Sequence, residues 1–258
     1  MLRNLLQYFF TLLLAGRGTS LVKDSFSVRV GQAEIFSSPN IELLGVTFDN
    51  KLSMTPYASN LATTARQRAG IIRRLACHLP RGRYLRLLSQ GLVYGKVSYA
   101  AAATLTPRLP GDTSAPSGVA KNIQVALNDV ARTLTGQKRS DQVPISSLLQ
   151  SAGLQSLNAI AVNAVAVEAW KAYHSSDGPN AARNPLGNAI FSSRDFHPQD
   201  RPTRAKTSGQ VPLPLPMAAP TMAYSAVKVW NENPELRAAE SLKAAKSVAK
   251  RLARAAPL

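Results

Sequence analysis

The chain holds a single cysteine, Cys77, in 258 residues. Internal disulfides and any multi-cysteine zinc site are thereby excluded, and the usage fits a reducing, intracellular compartment, nucleus or cytoplasm. The histidines His78, His174 and His197 have no metal-ligand spacing with one another or with Cys77. No Asp-Asp dipeptide occurs, no Gly-x-Ser-x-Gly elbow, and no glycine-rich loop carrying a lysine. The Asp residues are scattered beside turns, where they serve as caps and turn formers. No catalytic residue, metal or cofactor is therefore expected. Acidic residues are scarce as well. They number 14 against 31 Lys and Arg, for a net charge of +17, and none occurs between Lys51 and Gly111. An ordinary solvated surface mixes signs, so a one-signed stretch of that length points to a polyanionic partner, with nucleic acid first and an anionic membrane surface second.

What is present is mostly helical periodicity after a short β-rich start. Phe26–Val30 and Ala33–Phe36 alternate across Gly31-Gln32, predicting a hairpin with the glycine at positive φ. Ile41–Phe48 reads as one further strand, in which Gly45 is the odd residue, marking a bulge or a close backbone approach. Asp49-Asn50 ends it. Thr55 then caps a helix with Pro56 at its first position, and Ala58, Leu61, Ala62, Ala65, Ala69, Ile72 and Ala76 form a narrow apolar face. Arg66, Arg68, Arg73 and Arg74 lie on the other faces.

These residues resemble a known family. LLGVTFDNKLS (43–53), the proline-started helix, ARQRAGIIRRLA (65–76), a second helix reaching Tyr99-Ala100-Ala101, IQVALNDVARTLTG (123–136) and WNENPELR (230–237) are together similar to the region just downstream of the catalytic palm in reverse transcriptases of LINE-type (non-LTR) retrotransposons. The resemblance spans Phe26 to the C-terminus and rests on order and spacing, since no one motif is diagnostic. It implies the end of a palm sheet over residues 21–53, a thumb-like helical bundle over 54–136 and connecting helices over 137–174. It further implies RNA or an RNA–DNA duplex as partner, with Arg66, Arg68, Arg73, Arg74 and Lys96 on phosphates and Leu44, Gly45 and Val46 near the primer end. The palm carboxylates that would hold two metal ions are missing from this chain. The implied activity is binding without polymerisation, with a catalytic palm supplied by another chain as a further partner.

Before that region, residues 1–20 match nothing in the family. Leu5–Ala15 follows Arg3 and has the outline of a targeting segment, yet it is shorter than the roughly 20 apolar residues of a membrane span. It reads as a targeting segment, a buried helix or unrelated coding sequence, and of these the last is preferred. Secretion stays open on its account.

Further on, a second helix is expected over about Arg83–Leu105, burying Tyr84, Leu87, Leu88, Gly91, Gly95, Ser98, Tyr99 and Ala102, with Gly91 and Gly95 letting another helix approach. A turn-rich linker over Pro107–Gly118 precedes a third helix, Val119–Thr135, stopped by Gly136. Pro144–Gln150 is a short helix closed by Gly153, and Ser156 caps one running to about His174, with Trp170 and Tyr173 near its end either stacking on bases or, the preferred reading, making an apolar closing contact. Residues 175–220 form a proline-rich linker containing Pro212-Leu213-Pro214-Leu215-Pro216, a weak polyproline signal. In the basic C-terminal segment, 221–258, Met222, Ala226, Val229 and Trp230 form one face. Asn233 and Pro234 then open a helix ending in Lys243, Lys246, Lys250, Arg251 and Arg254. The fold class is mainly α with a small antiparallel β-hairpin or sheet near the N-terminus. A basic helical interaction protein, binding a membrane surface or an acidic partner, is the alternative function; membrane binding is the less favoured partner.

Overall fold

The computed structural model describes residues 27–51, 53–110, 112, 117–176, 210 and 222–258. The apolar N-terminal segment and the Pro212–Pro216 run lie outside them. The architecture is mainly helical with two small antiparallel hairpins near the N-terminus. The chain divides into two compact units, Met1–Thr64 and Ala65–Leu258.

In the first unit β1 (Ser27–Val30) pairs with β2 (Ala33–Phe36), Val30 opposite Ala33, with Gly31 at φ 60°. Glycine at the first of two turn positions is what a right-twisted two-residue hairpin needs. The expected strand Ile41–Phe48 is instead a second hairpin. β3 (Asn40–Leu43) pairs with β4 (Val46–Asp49), Leu43 opposite Val46. Leu44 and Gly45 are its turn, at φ 51° and 76°. Positive φ at both central positions is the tight I′ geometry, so Gly45 is required by backbone conformation rather than by a bulge. A Cβ there would meet nothing within 4 Å. Asp49 ends β4 and is buried; its carboxylate accepts from Ser53 Oγ (2.9 Å) and from the Met54 amide (3.1 Å). Burial pushes its pKa up, but those hydrogen bonds outweigh that and hold it below the ordinary carboxylate value.

Helix α1 (Thr55–Leu75) begins at the residue expected to cap it. The Thr55 amide is held by Ser53 Oγ (3.3 Å), and the Met54 carbonyl accepts the first helical bond from Ala58. Its buried stripe is Tyr57, Leu61, Ala62, Ala65, Ala69 and Ile72.

The second helical run is broken where a continuous helix was expected. It comprises α2 (Arg83–Ser89), a widened π segment (Gln90–Tyr94), α3 (Gly95–Ser98) and α4 (Ala101–Thr104). Tyr99 is extended and Ala100 left-handed at φ 54°, which interrupts the ladder between α3 and α4. The buried residues are Leu85, Ser89, Val93, Val97 and Ala101, each four after the last. Tyr84, Leu87, Leu88 and Tyr99, expected inside, are exposed, Tyr84 at 73 %. No helix closes on Gly91 among the described residues, and a Cβ on Gly95 would meet only the Gln90 carbonyl, at 3.5 Å.

Helix α5 (Gly118–Thr135) is capped by Ser117 Oγ and ended by Gly136 at φ 77°. It buries Ile123, Ala126, Leu127 and Val130 as its spacing predicts. Helix α6 (Ile145–Ala152) follows, closed by Gly153, and packs Leu148, Leu149 and Ala152 against Ala131. Helix α7 (Leu157–Ser176) is capped by Ser156 Oγ, which accepts from the Ala159 amide at 3.1 Å.

α7 is the centre of the second unit rather than a connector. Ile160, Ala161, Val162, Val165, Ala166, Ala169 and Ala172 are all buried. Its first turns, Leu157 to Val162, are buried on every side, and Val165, Ala166, Ala169 and Ala172 continue one buried face, so the helix has to be covered by more than one neighbour. Helices α8 (Met222–Glu232) and α10 (Leu242–Ala255) pack along it, as does α4. Trp230 of α8, 1 % exposed, stacks on Tyr173 with ring centroids 4.2 Å apart, and Trp170 stacks on His174 at 4.0 Å while donating from Nε1 to the Ala239 carbonyl at 2.8 Å. The expected apolar closing contact is therefore present.

The C-terminal helix differs from expectation. Asn233 and Pro234 open only a single turn, α9 (Pro234–Arg237). The basic helix α10 starts separately at Ser241, whose Oγ accepts from the Ala244 amide (3.2 Å). Arg237 explains the break: its Nη1 donates to the Trp230 and Asn231 carbonyls (2.8 and 2.7 Å), folding α9 back over the end of α8.

Candidate functional site

The expected ligand is anionic, so the site is a question of which cations are already engaged. Arg68 lies three residues after Ala65 and four before Ile72, on the flank of the buried stripe of α1. It is half-buried, and its Nη1 donates to the Leu92 carbonyl in the π segment at 2.7 Å. Arg81 and Arg86 lie on glycines that end helices: a Cβ on Gly136 would come 3.0 Å from Arg81 Nη1, and one on Gly153 would come 3.3 Å from Arg86 Nη1. Guanidinium groups there complement the partial negative charge of a helix C-terminus.

Other cations meet acids or carbonyls. Arg132 and Arg139 share Asp129, Lys171 meets Glu168 at 2.7 Å, and Arg251 pairs with Glu235. Arg108 donates to the Leu258 carbonyl. Lys228 Nζ reaches Asp112 Oδ1 at 2.6 Å, while Asp112 Oδ2 accepts from the Leu109 amide at 2.9 Å. The Lys228 ammonium is the chief reason that the Asp112 carboxyl is held below its ordinary pKa, and that hydrogen bond likewise raises Lys228. Burial pushes Glu232 up. Tyr94 is raised by burial too, its hydroxyl donating to the Gln155 carbonyl at 3.0 Å.

Several exposed cations have no carboxylate partner among the described residues, Arg29, Lys51, Arg83 and Lys121 singly and two sets in clusters. On α1, Arg66, Arg73 and Arg74 are exposed. Arg66 and Arg73 are two turns apart on one face, roughly 10 Å along the axis, with Arg74 beside them. On α10, Lys243, Lys246, Lys250 and Arg254 are exposed, the last three each following one of the buried Ala245, Ala249 and Ala253 and so standing on the flank of the packed face. Lys96 is half-buried, its ammonium 5.8 Å from the Tyr99 ring centroid, within cation–π range.

Of the five basic residues singled out from sequence, three are thus presented together on α1, while Arg68 is turned to a carbonyl and Lys96 sits beside a ring. The carbonyl contact could have been anticipated from the position of Arg68 beside Ala65 and Ile72; the π segment that supplies the carbonyl could not. Leu44 and Gly45 are the tip of the second hairpin, Leu44 being 81 % exposed, and Val46 is the buried first residue of β4. The α10 cations were legible as a three- and four-residue repeat. The alanine face that seats that helix on α7 comes from the structure.

Among the described residues no group of three or more His, Cys, Asp or Glu could hold a metal, and no helix is long and apolar enough to cross a membrane. No family model matches the chain, and neither a curated protein nor a solved structure is similar to it.

Proposed function

We propose that this chain binds RNA or an RNA–DNA duplex through its phosphates, without polymerising, as a thumb-like part of a LINE-type reverse transcriptase would. The observation that carries the reading is the cationic face of α1, which meets no carboxylate among the described residues. Arg66, Arg73 and Arg74 stand exposed in a stretch, Lys51 to Gly111, that contains no acid to neutralise them. A surface of this kind gains little from solvent and much from releasing the counterions of a polyanion. The resemblance of residues 43–53, 65–76, 123–136 and 230–237 supports the choice of nucleic acid. The missing Asp-Asp pair supports binding rather than phosphoryl transfer.

Titration of the full chain with a labelled RNA–DNA duplex at several salt concentrations tests this. Affinity that falls steeply and linearly on logarithmic axes is expected. A folded chain that fails to bind at low salt overturns it.

A second reading draws on the exposed apolar side chains of α2. Tyr84, Leu87 and Leu88 face solvent next to Arg83, a pairing that suits an anionic membrane surface or an acidic amphipathic partner. Flotation with anionic vesicles separates the two, since a duplex-binding surface needs no apolar contact.

A further inference from the structure

The second unit contains a groove of about 620 Å³, within the ordinary range for small-ligand sites. It runs between α4, α7 and α10. Ala101, Ala102, Ala164 and Val167 make an apolar floor; Asn163 lies in it, and Lys246 and Lys250 stand on its α10 side. The floor is made of short side chains, so it is broad rather than deep, the form that receives a flat ring.

The two lysines are a turn apart, about 6 Å along the axis, which suits successive phosphates of an extended strand. Neither meets a carboxylate among the described residues, because Glu168, the acid of the groove, is taken by Lys171. The Asn163 amide makes no hydrogen bond among the described residues, and an amide offers a donor and an acceptor side by side, as the edge of a base does. An acyl chain would use the apolar floor but leave that amide unpaired.

We propose that this groove receives one unpaired base of a nucleic-acid strand whose flanking phosphates lie on Lys246 and Lys250. The assignment rests on the nucleic-acid reading above and adds to it a single-stranded ligand and a site separate from the α1 arginines. The apolar floor holds the face of the base, Asn163 meets its edge, and the lysines hold the backbone. Lys243 and Arg254 extend the same cationic line along α10 in both directions.

The test compares the full chain with Ala164→Leu, which fills the groove with an aliphatic side chain that offers no stacking ring, and with Asn163→Ala, which alters it with little steric change should the leucine prevent folding. Each is titrated with a labelled oligouridine, with a strand of the same length and backbone lacking its bases, with an RNA–DNA duplex and with anionic vesicles. The oligouridine should bind several-fold more weakly to Ala164→Leu and detectably more weakly to Asn163→Ala. The base-free strand should bind the parent chain as weakly as oligouridine binds Ala164→Leu, and duplex affinity should not move. Equal binding of intact and base-free strands, or folded variants that bind oligouridine as the parent does, overturns the groove assignment while leaving duplex binding intact. Failure of the parent to bind duplex and strand alike overturns both readings. Loss of anionic-vesicle binding in Ala164→Leu, with no change toward oligouridine, assigns the groove to a lipid instead.

Discussion

Arg68 of α1 donates from Nη1 to the carbonyl of Leu92 at 2.7 Å, tying the first long helix to the widened turn of the second helical run. A charged donor on a half-buried carbonyl strengthens that turn, where the helical ladder departs from its regular spacing. Arg68→Met keeps the aliphatic stem and removes the donor. We expect it to cost roughly 1–2 kcal/mol in urea unfolding, with no change in the salt slope of duplex binding. A variant that weakens the salt slope at unchanged stability would place Arg68 on the ligand instead.

The exposed arginines should behave in the opposite way. Arg66→Ser, Arg73→Ser and Arg74→Ser combined remove up to three phosphate contacts. The logarithmic salt slope should fall by about 2–3, at roughly 0.9 per contact on a duplex. Unfolding free energy should change little, since these side chains make no ion pair among the described residues. Parallel duplex titrations and urea melts check both halves.

Much of this architecture was legible because caps and periodicity agree locally. Ser117 and Gly136 delimit α5, Ser156 and Gly153 bracket the α6–α7 junction, and Gly31 marks the first hairpin. The failures share a cause. Leu85, Ser89, Val93, Val97 and Ala101 bury a strict four-residue repeat. A regular helix would smear that repeat around its circumference, and only the inserted π turn and the break at Ala100 keep it on one side. Periodicity at 3.6 therefore selected the solvent face. The centrality of α7 was hidden differently: alanine does not announce which side is inward, and the first turns, Leu157 to Val162, are buried on every side and so carry no one-sided pattern. Of the candidate site, the excess of cations over acids was visible in sequence. Which cations are spent on carbonyls and helix ends was not, because those partners are distant in the chain.

The hairpin turn at Leu44-Gly45 gives a stability test. Leu44 sits at φ 51° and is 81 % exposed, so the conformation costs it energy while its side chain buries little. Asparagine tolerates the left-handed region and favours the first position of an Asn-Gly turn. Leu44→Asn should raise stability by about 0.5–1 kcal/mol, and Gly45→Val should lower it by at least as much. Thermal unfolding followed by far-UV circular dichroism distinguishes this from a mid-strand site, where asparagine would destabilise.

The Asp112–Lys228 pair sets a pH dependence of known sign. Lys228 lowers the pKa of Asp112, by hydrogen bond and charge, below its value in the unfolded chain. Its stabilising contribution is accordingly full above the unfolded carboxylate pKa of about 3.9 and is lost as pH falls through the lower folded value. Lys228 is raised by the same contact, so its contribution is full below about 10.4 and is lost as pH rises through the higher folded value. Both windows lie outside neutrality, and between them the pair should be insensitive to pH. Asp112→Asn removes the charge while keeping an acceptor for the Leu109 amide, which the native Oδ2 holds at 2.9 Å. It should cost about 1–2 kcal/mol at pH 7 and flatten the acid limb of the stability curve below pH 4. Lys228→Met should flatten the alkaline limb and, by removing the cation, bring Asp112 back toward its ordinary pKa. Urea melts across the pH range read these changes directly, and an unchanged acid limb in Asp112→Asn would show that other carboxylates set it.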